Sequence, residues 1–230
     1  PIHTALFPRL SQLVVKKDEA GISDLYHRGC QLASIIILPI SITMIFFSKE
    51  ILSTWIGDPT VVNNTHILLS LLIVGTTIKA YMTLPYTLQL AHGWTKLAFY
   101  KNVIAVIIII PSMLWAAQMY QGIGAAWVLI ILYLGLLIFE IIIMHKRILK
   151  GNMRKRYGYD VFIPVLIVSI IGLAAHEIHD ILPINVSEVI TALAVLSTLL
   201  FSFMASAWAT GNLNVRVMSL LKIKERKKIV

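Results

Sequence analysis

Six stretches of this chain stay apolar for the width of a lipid bilayer, and that feature decides most of what it can fold into. A hydrocarbon core of about 30 Å takes roughly 20 residues of helix. The stretches run approximately over residues 25–47, 66–90, 97–119, 122–144, 161–178 and 189–210. Hydrocarbon offers the backbone no hydrogen-bond partner, and none of the six alternates in the manner of a membrane-barrel strand, so each is expected to be a helix. The expected fold is all-α, a polytopic transmembrane bundle. Composition agrees: 58% of the 230 residues are apolar and 13% are charged, against about a quarter charged in ordinary soluble domains. Most soluble enzymes, disordered chains and coiled coils are thereby excluded. The fifth stretch is the weakest, because its uninterrupted apolar part is short and ends in His176, Glu177 and His179.

The loops bear on the same assignment independently. With the N-terminus in the cytoplasm, the inner segments collect Arg9, Lys16, Lys17, Arg28, Lys96, Lys101, Lys146, Arg147, Lys150, Arg154, Lys155, Arg156, Arg216, Lys222, Lys224, Arg226, Lys227 and Lys228. These are 18 of the 20 basic residues; Lys49 falls outside and Lys79 within a span. The positive-inside bias therefore places both ends of the segment in the cytoplasm. Topology accounts for the net charge of +9, and a nucleic-acid partner is not needed to explain it. Cys30 stands alone, so no internal disulfide can form. The chain opens at Pro1 without a cleaved signal peptide, and residues 1–13 have the character of a helix end, so a piece of a longer protein is expected.

Spacing adds detail. A few residues around Gln121 separate the third and fourth spans, which predicts a tight outer hairpin with Gly122 and Gly124 permitting the turn. Residues 48–65, with Trp55, Gly57, Asp58 and Pro59, read as a longer outer segment. The glycosylation-like triplets beginning at Asn63 and Asn185 carry little weight. Pro39, Pro85 and Pro111 interrupt spans and Pro164 opens one. Each internal proline frees a carbonyl and bends its helix, a feature equally compatible with a moving transporter and with ordinary membrane helices.

Lys79 is the sharpest signal. It lies midway along the second span, where an ammonium group costs roughly 2.5–3.5 kcal/mol and cannot easily snorkel to water. At 100° per residue, Thr76, Lys79, Thr83, Tyr86 and Thr87 share a stripe about 100° wide. One cation among hydroxyls suits an anionic group crossing a hydrated cavity; a structural pairing with a carboxylate is the other reading. Glu140, about two turns from the inner boundary, can reach water or a basic neighbour and is a candidate for ion coupling. Arg28 either snorkels to the inner interface or lines the cavity mouth.

Other chemistries find no support in the sequence. His176, Glu177, His179 and Asp180 lack the spacing of a zinc protease, so no metal site is expected. No phosphate-cradling glycine loop, catalytic Ser/His/Asp order or facing pair of carboxylates stands out, and neither a cofactor nor covalent catalysis is expected.

The run Ala5-Leu6-Phe7-Pro8-Arg9-Leu10-Ser11-Gln12-Leu13 resembles a segment of Wzx-type polysaccharide flippases, within the multidrug/oligosaccharidyl-lipid/polysaccharide exporter superfamily. Ser48-Lys49-Glu50-Ile51-Leu52 with Trp55-Ile56-Gly57, then residues 89–96 with Gly93 and Lys96, then Tyr120-Gln121-Gly122-Ile123-Gly124-Ala125-Ala126 follow in the same order. The likeness covers roughly residues 1–145; the last two spans match only as apolar helices. It implies the C-terminal portion of a two-bundle transporter whose halves rock around a central cavity, with the N-terminal bundle missing. The implied substrate is an undecaprenyl-pyrophosphate-linked glycan, carried across the bacterial inner membrane without bond chemistry. Its pyrophosphate would meet Lys79, Thr76, Thr83, Tyr86, Thr87 and Arg28. The alternatives are a multidrug/cation antiporter of the same superfamily, which would draw on Glu140, and an integral-membrane glycan polymerase or transferase, for which the outer loops are short.

Overall fold

The computed structural model describes residues 2–147, 161–181 and 195–206, all but the short connections of them helical. In chain order the helices are α1 (Ile2–Val15), α2 (Glu19–Phe46), α3 (Ser48–Ile56), α4 (Pro59–Ala91), α5 (Thr95–Arg147), α6 (Ile163–Ile181) and α7 (Val195–Ser206). There is no strand among the described residues. The 146–156 basic cluster beyond Arg147, the Asn185 triplet, the outer parts of the sixth span and the basic C-terminal run lie outside the described residues.

Local chemistry sets the breaks. Asp18 caps α2 by accepting from the Gly21 N–H at 2.9 Å, and Asp58 caps α4 by accepting from the Thr60 N–H at 2.8 Å, with Pro59 pre-set for the first turn. Gly57 and Gly93, at φ 70° and 72°, end α3 and α4 in the left-handed conformation that glycine adopts without steric cost. The outer segment expected over residues 48–65 is thus mostly helix: α3 fills its first half, and α4 begins at Pro59. Capping by Asp58 and Pro59 extends the second span outward, to 33 residues.

Among the described residues, three helical stretches are long and apolar enough to cross a membrane: α2, α4 and Ala98–Met144 within α5. The last is 47 residues, about 70 Å if straight, more than twice the hydrocarbon thickness. It does not run straight. Gln121, at φ 53° and ψ −143°, breaks α5 into two arms, and Lys101 on the first meets Glu140 on the second. Those residues are almost equidistant from Gln121, so the arms fold back antiparallel as the spacing predicts. The sign of φ corrects one detail: Gln121 itself, not Gly122 or Gly124, carries the unusual backbone angle. A Cβ on Gly122 would sit 3.1 Å from Leu68, and one on Gly124 would sit 2.5 Å from the Ala116 carbonyl oxygen, so these glycines serve close approach at the hairpin tip.

α2 is the hub. Its apolar window is 44% buried within the chain, against 17% for α4 and α5, and it touches α1, α3, α4 and α6. Leu10, Ile22, Tyr26, Cys30, Leu84, Leu88 and Met144 form the main core at the end where Lys16, Lys17, Lys96 and Arg147 lie. Two hydroxyl bridges stitch α2 to the antiparallel α4, Tyr81 to Ser34 at 2.9 Å and Thr77 to Ser41 at 2.7 Å, and a third, Ser70 to Ser48 at 2.8 Å, ties α4 to the start of α3. Ser34 and Ser41 are one heptad apart, which keeps both on the α4-facing side of α2. α6 runs alongside α2, Gly172 fitting against Ile42 and Phe46, and His176 against Phe47. The carbonyl that Pro39 leaves unbonded belongs to Ile35, and the Ser206 hydroxyl of α7 reaches it at 3.5 Å.

Candidate functional site

Five stripe residues on α4 were expected to act together, and the fold divides them by depth. Thr76 and Lys79 are exposed, Thr83 and Tyr86 half-buried, and Thr87 fully buried. Thr76 donates to the Ile73 carbonyl at 3.0 Å and Thr87 to the Thr83 carbonyl at 2.6 Å, so these hydroxyls are tied to their own helix. The Lys79 ammonium lies 5.8 Å from the ring centroid of Tyr133, on the second arm of α5. Among the described residues it has no carboxylate partner. The ring face attracts the cation without neutralising it, so Lys79 remains a mid-span positive charge on an open face.

Seven residues further along α4, about 10 Å along its axis, Tyr86 faces a second cation. Lys101 lies 5.5 Å from the Tyr86 ring centroid and forms an ion pair with Glu140. Their side chains retain only 6% and 2% of their accessible surface, so this pair is shielded from water. Gln89 of α4 donates to the same carboxylate oxygen, Oε1, at 3.4 Å. Glu140 Oε2 and Gln89 Oε1 have no hydrogen-bond partner among the described residues. One expectation is corrected here and another narrowed. Lys101 is not an inner-loop charge but a buried one within α5, and Glu140, expected to reach water or a basic neighbour, meets the basic neighbour Lys101. Neither shift was visible in hydropathy, which places each residue along a helix without fixing the direction it faces. The available signal was the hairpin itself, since residues equidistant from Gln121 must meet.

Arg28 is exposed and forms a 2.9 Å ion pair with Asp24 one turn earlier, which places it on the outside of α2 near its start. It is not brought together with Lys79 by any contact among the described residues.

An apolar cavity of about 270 Å³ lies elsewhere, between α2, α4, the second arm of α5 and α6. Ser41, Thr77 and Tyr81 reach its wall, yet their hydroxyls already serve the α2–α4 bridges. It offers nothing to an anion. Charged side chains deep within the described spans include Lys79 on the outward α4 face and the buried Lys101–Glu140 pair. No group of three or more metal-ligating side chains occurs among the described residues.

Residues 2–115, from α1 through most of the first arm of α5, match the model of the MatE family. No curated protein and no solved structure matches the chain.

Proposed function

We propose, from the MatE match and the multi-span helical architecture, that this chain is part of a membrane transporter of the multidrug/oligosaccharidyl-lipid/polysaccharide exporter type, acting as a flippase for a lipid-linked glycan. Lys79 carries the reading. An unpaired ammonium halfway through a span is costly against acyl chains, and it is tolerated where the face it occupies borders a hydrated cavity. Exposed Thr76 and half-buried Thr83 continue that face above and below it. In the proposed transporter a second helical bundle, not contained in this chain, closes the other side of the cavity. The diphosphate of an undecaprenyl-pyrophosphate-linked glycan supplies the mobile counter-charge. Lys79 and the hydroxyls of Thr76, Thr83 and Tyr86 bind it in turn as the bundles alternate, Thr87 being sealed inside the bundle with its hydroxyl on the Thr83 carbonyl, and Arg28 marks the cytoplasmic entrance. The basic end of the bundle, with Lys16, Lys17, Lys96 and Arg147, faces the cytoplasm of a bacterial inner membrane.

The test is export of surface polysaccharide by cells carrying the intact protein. Lys79→Ala should abolish export at unchanged protein level, and Lys79→Arg should preserve part of it. Normal surface polysaccharide in the alanine variant would reject the role of Lys79 in substrate passage.

A second reading, the cation antiporter, draws on Glu140, whose Oε2 is left without a partner in a buried site. Here the carboxylate would exchange Lys101 for a proton or sodium ion during the cycle. What leaves the cell separates the two: Glu140→Gln should abolish drug extrusion with surface polysaccharide unchanged if the protein is an antiporter.

A further inference from the structure

At the basic end of the bundle the turn from α4 into α5 makes a cavity of about 420 Å³ lined by Gly93, Trp94, Thr95, Lys96, Ile143 and Arg147. Its position follows from the chain. Gly93 turns sharply at φ 72°, so α5 starts immediately beside the end of α4, and the second arm of α5 returns to the same level with Ile143 and Arg147. Both cations, Lys96 and Arg147, are exposed, while Trp94 is half-buried beneath them. The Arg147 guanidinium lies 5.3 Å from the Trp94 ring centroid, which holds it over the cavity instead of leaving it free in solvent. The other face of Trp94 has His92 as a neighbour, at 6.4 Å between ring centroids. Among the described residues, no acidic side chain lines the cavity. The first-turn N–H groups of α5, from Thr95 onward, have no acceptor within their own helix and add partial positive charge at the same place.

We infer that this cavity binds the phosphate of an anionic phospholipid headgroup, with Lys96 and Arg147 as its charged ligands and Trp94 as the platform at the membrane–water boundary. The setting favours lipid over a soluble anion. The apolar helices α4 and α5 run directly from the cavity into the bilayer, and the adjoining face of α5 carries exposed Phe99, Val103 and Ile107, against which acyl chains can lie. The guanidinium fork, pre-positioned on the ring, matches two phosphate oxygens, and the lysine adds a mobile point charge. Such a headgroup fixes the depth of the α4–α5 turn in the leaflet. This inference rests only on the membrane-spanning architecture, and it does not depend on what the protein transports.

The experiment uses the intact protein, purified and mixed with phosphatidylglycerol or phosphatidylcholine of the same acyl chains, with bound lipid read by native mass spectrometry. Wild type should retain phosphatidylglycerol in preference to phosphatidylcholine. Lys96→Ala/Arg147→Ala should weaken that retention by roughly thirtyfold, from two basic residues near the surface at about 1 kcal/mol each. The pair Lys16→Ala/Lys17→Ala, which removes the same charge from the same end of the bundle, should leave it unchanged, as should Lys79→Ala. Excess inorganic phosphate should not displace the lipid. Equal retention of the two lipids by wild type, equal loss in the Lys16/Lys17 variant, or displacement by phosphate would each overturn the assignment.

Discussion

The α2–α4 seam and the α5 hairpin both join two antiparallel membrane helices, yet they use polar groups in opposite ways. Along α4, neutral hydroxyl bridges hold the register, two to Ser34 and Ser41 of α2 and a third to Ser48 at the start of α3. Across the α5 hairpin, one buried ion pair, Lys101–Glu140, joins the two arms, and Gln89 ties it to α4. Neutral bridges in a membrane are individually weak, because the separated helices find other partners for their hydroxyls. A buried ion pair is different: each ion has been stripped of water, so its value lies mainly in what happens when its partner is lost. The seam therefore spreads its polar stabilisation over many small contributions, whereas the hairpin concentrates it at one point.

That contrast can be broken or sharpened by substitution in the intact protein. The largest effect is expected from Glu140→Ala, which leaves the Lys101 ammonium buried and unpaired and should cost about 3–5 kcal/mol, read as a large fall in thermal stability in detergent. Replacing both members, Lys101→Met with Glu140→Leu, should recover most of the loss; a double variant as unstable as the single one would show that the pair is not the source of the penalty. Next comes Gln121→Gly. A non-glycine residue at φ 53° and ψ −143° carries strain of about 1–3 kcal/mol, so glycine should stabilise the hairpin by a net amount of about 1 kcal/mol once its extra chain entropy is deducted. Unchanged or lower stability would show that the hairpin tip is unstrained.

Along the seam the expected changes are smaller. Thr77→Val removes one bridge to Ser41 and should cost about 0.6 kcal/mol, with Tyr81→Phe similar, and the two together should come close to additive. A single seam variant as damaging as Glu140→Ala would erase the distinction between the two joints. Least of all should Lys79→Ala affect stability, since its ammonium is exposed and unpaired among the described residues. Its consequence belongs to transport, and a marked loss of thermal stability would move Lys79 from the pathway into the scaffold.

Several features of the site were legible in one dimension and others were not. The mid-span position of Lys79 follows directly from counting along the apolar run, and so does the hairpin around Gln121. The residues from Thr76 to Thr87 share a helical phase on α4, but phase cannot show that exposure falls from an open face at Lys79 to a buried one at Thr87. Lys101 and Glu140 each look like peripheral charges when judged by distance from the end of a span. Their burial requires α4 to press Gln89 and Tyr86 into the mouth of the hairpin. Ser34, Ser41 and Ser48 are inconspicuous in sequence because single serines in membrane helices are common, and only the antiparallel approach of α4 gives each a hydroxyl partner.

By itself the sequence determined the all-helical character, the long apolar stretches and the reversal at Gln121. The reason is that transfer of apolar and charged groups between water and hydrocarbon depends on local composition and length. Which charges face outward, which are sealed in pairs, and where Trp94 meets Arg147 were decided by tertiary packing alone, because a side chain's exposure depends on what the neighbouring helix brings to it.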